Sequence, residues 1–278
     1  MTSRRILVVN ADDYGLTPGV CTGILRGHRD GVVSSTSALV NAPAFDSHAG
    51  ALRDSGLPAG LHLCFVGEDP PLLSAKEVPT LVERDGRFPA TWRRFLQRAA
   101  RGAIDPDDLR REARAQLEAL LAHGMRPTHV DSHQNLHLWP TVTGVALELS
   151  IEHRIAAMRI AGSRRLAVPA LGVRTLGAVA RRRARRHGLV APDASIGLDD
   201  AGSMTSDRFR EAVRRLADGR GHADVTVHPG SDPDPDRHRY AWGYEWGREL
   251  EAVTEPDLTQ WIKAQGFHLG SFGDLATA

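Results

Sequence analysis

The stretch Ile6-Leu7-Val8-Val9-Asn10-Ala11-Asp12-Asp13-Tyr14-Gly15 is a short apolar run that stops abruptly at two adjacent carboxylates. The run reads as a buried strand and is too short for the hydrophobic segment of a signal peptide. Two carboxylates side by side at the end of a buried strand repel each other and are costly to desolvate, so they need a cation or strong donors nearby. A bound metal ion would meet that need. In sheets and barrels built from βα units, the carboxyl ends of the strands are also where active sites form. The plainer alternative is a turn in which Asp12 or Asp13 caps a helix beginning near Thr17.

Outward from this strand, apolar runs alternate with helical patterns, the signature of βα units around a parallel sheet or barrel. Helices are expected over 18–30, 44–55, 171–187, 207–217 and 256–265, with another starting near Pro140. Strands are expected over 32–40, 59–65, 128–130, 158–160, 224–227 and 267–269. Asp105-Pro106 marks a capped helix start, after which Leu109, Ala113, Leu117, Leu120 and Leu121 share one face until about Gly124. Residues 66–90 are punctuated by Pro and Gly and too long for a plain turn, which suggests a functional loop or lid. With no repeat and no linker, residues 1–278 read as a single α/β domain.

Composition narrows the function classes. The 278 residues are 41% hydrophobic and 25% charged, as in ordinary globular proteins, and 35 basic against 34 acidic residues leave no general field to recruit nucleic acid or an anionic membrane. The run Arg181-Arg182-Arg183-Ala184-Arg185-Arg186 has no interleaved aromatic platform and reads as a solvated face or an oligomer contact. No apolar segment is long enough to insert in a membrane. Two cysteines, Cys21 and Cys64, make no disulfide framework, so a reduced, cytoplasmic protein is expected.

Histidines recur at other strand ends. Gly60-Leu61-His62-Leu63 places one in an apolar strand, where a lone histidine is ordinarily a satisfied core residue. Thr128-His129-Val130-Asp131-Ser132-His133 and His137 crowd the end of another strand; a turn after Asp131 would leave His133 and His137 on a loop. His228-Pro229 ends a fourth. A closed βα barrel would bring these groups to one face, where two histidines and a carboxylate can hold a divalent metal with open positions. A second carboxylate beside such a site suits a general base, and a further histidine a general acid.

The motifs at 10–15, 60–63, 128–133 and 228–229, in this order and spacing from Ile6 to about Gly273, resemble those of the YdjC-like carbohydrate deacetylases. The resemblance implies a distorted TIM-like barrel with a divalent metal at the carboxyl ends of its strands, removing the N-acetyl group from an acetylated amino sugar. It implies Asp13, His62 and His133 as metal ligands, Asp12 as general base and His228 as general acid. Asn135 stands where some members have a histidine, and Tyr14 where phenylalanine is common. Asp131 and His137 are placed to orient a metal-bound imidazole or to make simple turn hydrogen bonds. The ligand set suits Zn²⁺ and related ions, whereas Mg²⁺ ordinarily prefers oxygen, yet the family includes magnesium-dependent members, so one divalent cation, Mg²⁺ or Zn²⁺, is expected. A homodimer is what the family suggests.

The rival readings are action on a lipid-linked amino sugar and hydrolysis of a phosphoester or other ester; the latter requires a cationic clamp, for which Arg159 and the 181–186 run are the candidates. Residues 66–89, the loop 231–236 and the aromatic patch 242–246 are expected to shape sugar subsites. Trp242 is the foremost stacking candidate, although Trp242 and Trp246 are also spaced like one buried helix face.

Overall fold

The computed structural model describes residues 5–277; Met1-Thr2-Ser3-Arg4, which precede the apolar run read as too short for a signal peptide, lie outside them. Strand β1 (Ile6–Tyr14) is buried along its whole length, because it has neighbours on both sides. It pairs in parallel with β2 (Ser35–Ala38), β7 (Ala223–Val227) and, at its start, β8 (His268–Leu269). Beyond β2 come β3 (Ala59–Leu63), β4 (His129–Ser132) and β5 (Ala157–Met158), and beyond β7 comes β6 (Ala194–Ile196). All these pairings are parallel. The outermost strands β5 and β6 do not pair with each other, so the sheet forms an incomplete, distorted TIM-like barrel with a seam between them.

Helices cross between successive strands, as parallel pairing requires. These are α1 (Pro18–Asp30), α2 (Phe45–Ser55), α3 (Trp92–Ala100), α4 (Pro106–Ala122), α5 (Pro140–His153), α6 (Val168–Arg186) and α7 (Ser206–Ala217), followed by α8 (Trp246–Val253), α9 (Leu258–Ala264) and α10 (Phe272–Leu275). Asp105 caps α4 by accepting from the Asp107 amide, and Leu109, Ala113, Leu117 and Leu120 are buried beneath it. Leu121 is only partly buried. Gly60 on β3 is needed for close approach: a Cβ there would lie 2.2 Å from the His129 ring.

Several boundaries differ from the periodicity reading. β1 runs five residues past Val9, because Asn10, Asp12 and Asp13 find polar partners within the fold and need no solvent. β6, α3 and α8 carry no pattern that stands out. β6 is three residues at a sheet edge, and α3 buries only Phe95. Residues 66–90 form neither helix nor strand, yet Val78, Leu81 and Phe88 are buried and the amides of Leu72 and Leu73 donate to Glu112. The excursion is packed onto α4.

Candidate active site at the strand ends

A cavity of about 610 Å³ opens at the carboxyl ends of six strands and is lined by Asp12 and Asp13 (β1), His62 (β3), His133 (after β4), Arg159 (after β5), Ser195 (β6), and Thr226 and His228 (β7 and its end). Adjacent residues on a regular strand face opposite ways, so Asp12 and Asp13 should not share a cavity. They do because the β1–β2 register shifts between Ala11 and Tyr14, and Asp13 takes a left-handed conformation, φ 68°. A bulge that re-aims a side chain is a common device beside active sites. Neither carboxylate caps α1; Thr17 does, its hydroxyl accepting from the Val20 amide.

Asp12 Oδ1 accepts from Asn10 Nδ2 at 2.7 Å, and both its oxygens accept from the Arg159 guanidinium. Arg159 also reaches Asp131 Oδ2 at 2.8 Å and donates to Thr226 Oγ1 at 2.8 Å. His62 and Asp131 are direct partners in the β3–β4 register, which sets His62 Nδ1 2.6 Å from Asp131 Oδ1 and turns Nε2 toward Asp13, 3.4 Å from its Oδ1. β4 continues one residue past the expected turn, and His133 then opens a tight turn in which Gln134 and Asn135 are left-handed. Its Nδ1 comes to 3.0 Å from Asp13 Oδ1.

One ligand atom from each of Asp13, His62 and His133 therefore lies within 4.8 Å of the others, all three side chains buried. This donor set fits a divalent cation. The electrostatics agree. Burial opposes protonation of His62, but Asp131 and Asp12 outweigh it and carry its pKa up to about 10. Burial likewise disfavours the ionised Asp13, yet His133 and His62 hold its carboxyl well below the usual range. Asp12, His62 and Asp131 are as closely grouped, but Arg159 already neutralises both of those carboxylates.

His228 faces the cavity from the far side of β1. Its backbone amide donates to Glu249 Oε2 at 2.5 Å, and its Nδ1 lies 3.8 Å from the same oxygen. Burial opposes its protonation, but the Glu249 carboxylate prevails and raises its pKa above the ordinary histidine value. His137 sits elsewhere. Fully buried, it is bonded through Nδ1 to Ser132 Oγ and through Nε2 to the Arg159 carbonyl, so it braces the turn and not a candidate-ligand imidazole. Among the two residues read as possible imidazole supports, Asp131 alone contacts one.

Trp242 precedes α8 and lines the cavity, its ring 5.3 Å from that of His133 and its Nε1 donating to Glu68 at 2.8 Å. Trp246 begins α8 and is buried, so the two are not one helix face. The loops 66–89 and 231–236 supply no lining residue, although Glu68 holds Trp242 from behind; Thr91, Trp92 and Arg93 line the cavity instead. Residues that sequence reasoning passed over are Asn10, Ser37, which bonds Asp131 at 2.7 Å, and Glu249. The run Ser34-Ser35-Thr36-Ser37 in a buried strand was a legible signal for Ser37; Glu249 had none.

Residues 6–264 match the family model described as YdjC-like protein. The chain belongs to the YdjC-like family. Similar relatives include a carbohydrate deacetylase of Geobacillus stearothermophilus, 32% identical over 272 residues and covering 98% of both chains. A chitooligosaccharide deacetylase of Salmonella newport is 30% identical over 284 residues, covering 98% of this chain and all of the relative. The crystal structure of an Enterococcus faecalis protein, provisionally described as a cellobiose-phosphate cleavage protein, superposes with a TM-score of 0.80 at 25% identity, covering 98% of this chain and 99% of the other. In this YdjC-like chain Asn135 lines the cavity with its amide oxygen unbonded by protein, and the buried Tyr14 donates to the His48 carbonyl at 2.8 Å.

Proposed function

We propose that this YdjC-like chain is a metal-dependent N-deacetylase, acting as one unit, that hydrolyses the acetamide of an acetylated amino sugar and releases acetate. The substrate is chitooligosaccharide-like or another N-acetylglucosamine-containing molecule. One observation carries the reading: a triad with a donor set that fits a cation, a positioned carboxylate and a buried histidine converge on a single cavity. The names of the relatives support the same chemistry. A divalent cation held by Asp13, His62 and His133, Mg²⁺ or Zn²⁺, would supply Lewis acidity to the carbonyl and acidify water.

The chain's own groups do the rest. Asp12, locked in orientation by Arg159 and Asn10, takes the proton of the attacking water. Asp131 keeps His62 in the tautomer that presents Nε2 to the cavity. As the C–N bond breaks, the nitrogen must gain a proton to leave, and His228, favoured in its protonated form beside Glu249, delivers it. The Trp242 ring offers a face for the sugar. The phosphoester reading loses both of its candidate clamps, because Arg159 is held by carboxylates and the 181–186 run lies on α6, outside this cavity.

The test is acetate release from a panel of N-acetylated sugars, comparing cation-loaded protein, chelated protein and Asp12→Asn. Acetate that depends on both cation and Asp12 is expected. Near-wild-type turnover by Asp12→Asn would overturn the base assignment.

A further inference from the structure

Between Ile160 and Pro192 the chain has eight arginines and no aspartate or glutamate, although its net charge is only +1. The fold concentrates this imbalance on α6. That helix buries Ala170, Gly177, Ala180 and Ala184 and turns Val168, Leu171, Thr175, Val179, Arg182 and Arg186 outward. At 100° per residue these six form one stripe along a helix about 28 Å long. The stripe is apolar at its start and cationic at its end. Of the six exposed large hydrophobic residues among the described ones, four are here: Leu166 at 93% exposure, Val168 at 85%, Leu171 at 55% and Val179 at 46%. Arg164, Arg165 and Arg185 pair with Asp200, Asp199 and Asp193, whereas Arg174, Arg181, Arg182, Arg183 and Arg186 make no ion pair among the described residues.

Apolar side chains held in water beside uncompensated arginines are the composition of a helix that lies on a charged lipid interface. No helix of the described residues is long and apolar enough to cross a membrane. We propose that the α6 face docks on an anionic lipid surface. A second copy in antiparallel two-fold contact would set each arginine end against the partner's apolar end and leave the arginines without counter-charge. A nucleic acid would satisfy the arginines but leave Leu166, Val168 and Leu171 against phosphates. An anionic bilayer meets both halves of the stripe, with headgroups on the arginines and acyl chains under the leucines and valines.

The position of this face matters for the catalytic cavity. A groove of about 530 Å³, walled by Leu96, Trp139, Pro169, Val173 and Leu176, leads from the apolar end of α6 to Trp92 and Asn135, which also line that cavity. An acetylated amino sugar carrying an apolar chain would keep the chain in this groove while its acetamide meets Asp12. This extension rests on the deacetylase reading; the docking does not.

The experiment is sedimentation of the full chain with vesicles of phosphatidylcholine alone or with added phosphatidylglycerol, at low and high salt. Two double variants, Leu166→Ser with Val168→Ser and Arg182→Gln with Arg186→Gln, alter exposed side chains away from the catalytic cavity. Expected is binding to the phosphatidylglycerol vesicles that salt weakens and that each variant reduces by roughly tenfold or more, with deacetylation of a water-soluble sugar retained. Equal binding to both vesicle types, or variants that bind like wild type, would overturn the proposal. So would preference for a DNA duplex, or a dimer that the variants dissolve without vesicle binding. If the chain docks but deacetylates no substrate, the docking stands and the deacetylase reading falls.

Discussion

Arg159 meets Asp12 with both arms, Nη1 to Oδ1 at 2.8 Å and Nη2 to Oδ2 at 2.7 Å, in a pair that is almost entirely buried. The same guanidinium contacts Asp131 and Thr226, so one side chain after β5 ties together the ends of β1, β4 and β7. Its length and planarity make this possible: a fork of donors can serve three acceptors at fixed angles where an ammonium cannot.

Replacing that fork separates positioning from charge. Arg159→Lys keeps the positive charge but lets Asp12 rotate, and kcat should fall roughly 10–100-fold with KM little changed. Arg159→Met strands two buried carboxylates and should cost about 3–5 kcal/mol in denaturant unfolding. A lysine variant with wild-type kcat would show that orientation of Asp12 does not limit the reaction.

Cation removal should be visible without any substrate. If Asp13, His62 and His133 bind a divalent ion, chelation lowers the melting temperature and readdition restores it, the ion adding about 2.7 kcal/mol of stability at a hundredfold excess over Kd. His133→Ala should abolish the ion-dependent rise. A melting temperature indifferent to Mg²⁺, Zn²⁺ and chelator alike would remove the cation from this site.

Asp224, buried on β7, makes stability depend on pH. Burial outweighs the help of Arg159 and Ser195 and pushes its carboxyl up to about 7, so the fold prefers the protonated form. That preference stabilises fully below the unfolded carboxyl range, near pH 4, and is lost as pH rises through about 7. Asp224→Asn, neutral at every pH, should match wild type at pH 4 and exceed it by roughly 2–4 kcal/mol at pH 8. Unfolding curves at the two pH values read the difference directly.

Asn135 offers a test of substrate contact. The residue lines the cavity, where its side-chain amide can bond a sugar hydroxyl. Asn135→Ala should raise KM about five- to tenfold, the worth of one hydrogen bond, and leave kcat within about twofold. A loss confined to kcat would place Asn135 in the chemistry instead.

Much of this architecture is written in the order of residues. The apolar run Ile6-Leu7-Val8-Val9 marks the central strand, Asp105-Pro106 the start of α4, and the alternation of apolar runs with helical faces the parallel sheet. Burial of one element's face leaves a periodicity that can be read along the chain. The histidines and carboxylates now found on one cavity were legible as strand-end residues, and the family resemblance ordered them.

What joins them was decided only in three dimensions. The inward turn of both Asp12 and Asp13 depends on a bulge set by pairing with β2, and the His62–Asp131 contact depends on the β3–β4 register. Arg159 was visible only as a possible phosphate clamp, because nothing local shows that a guanidinium after β5 will meet carboxylates from β1 and β4. Glu249 reaches the amide of His228 from α8, a helix with no clear sequence pattern. Periodicity along a chain encodes which face of an element is buried; which side chains meet across elements depends on register, twist and closure, and those belong to the tertiary structure alone.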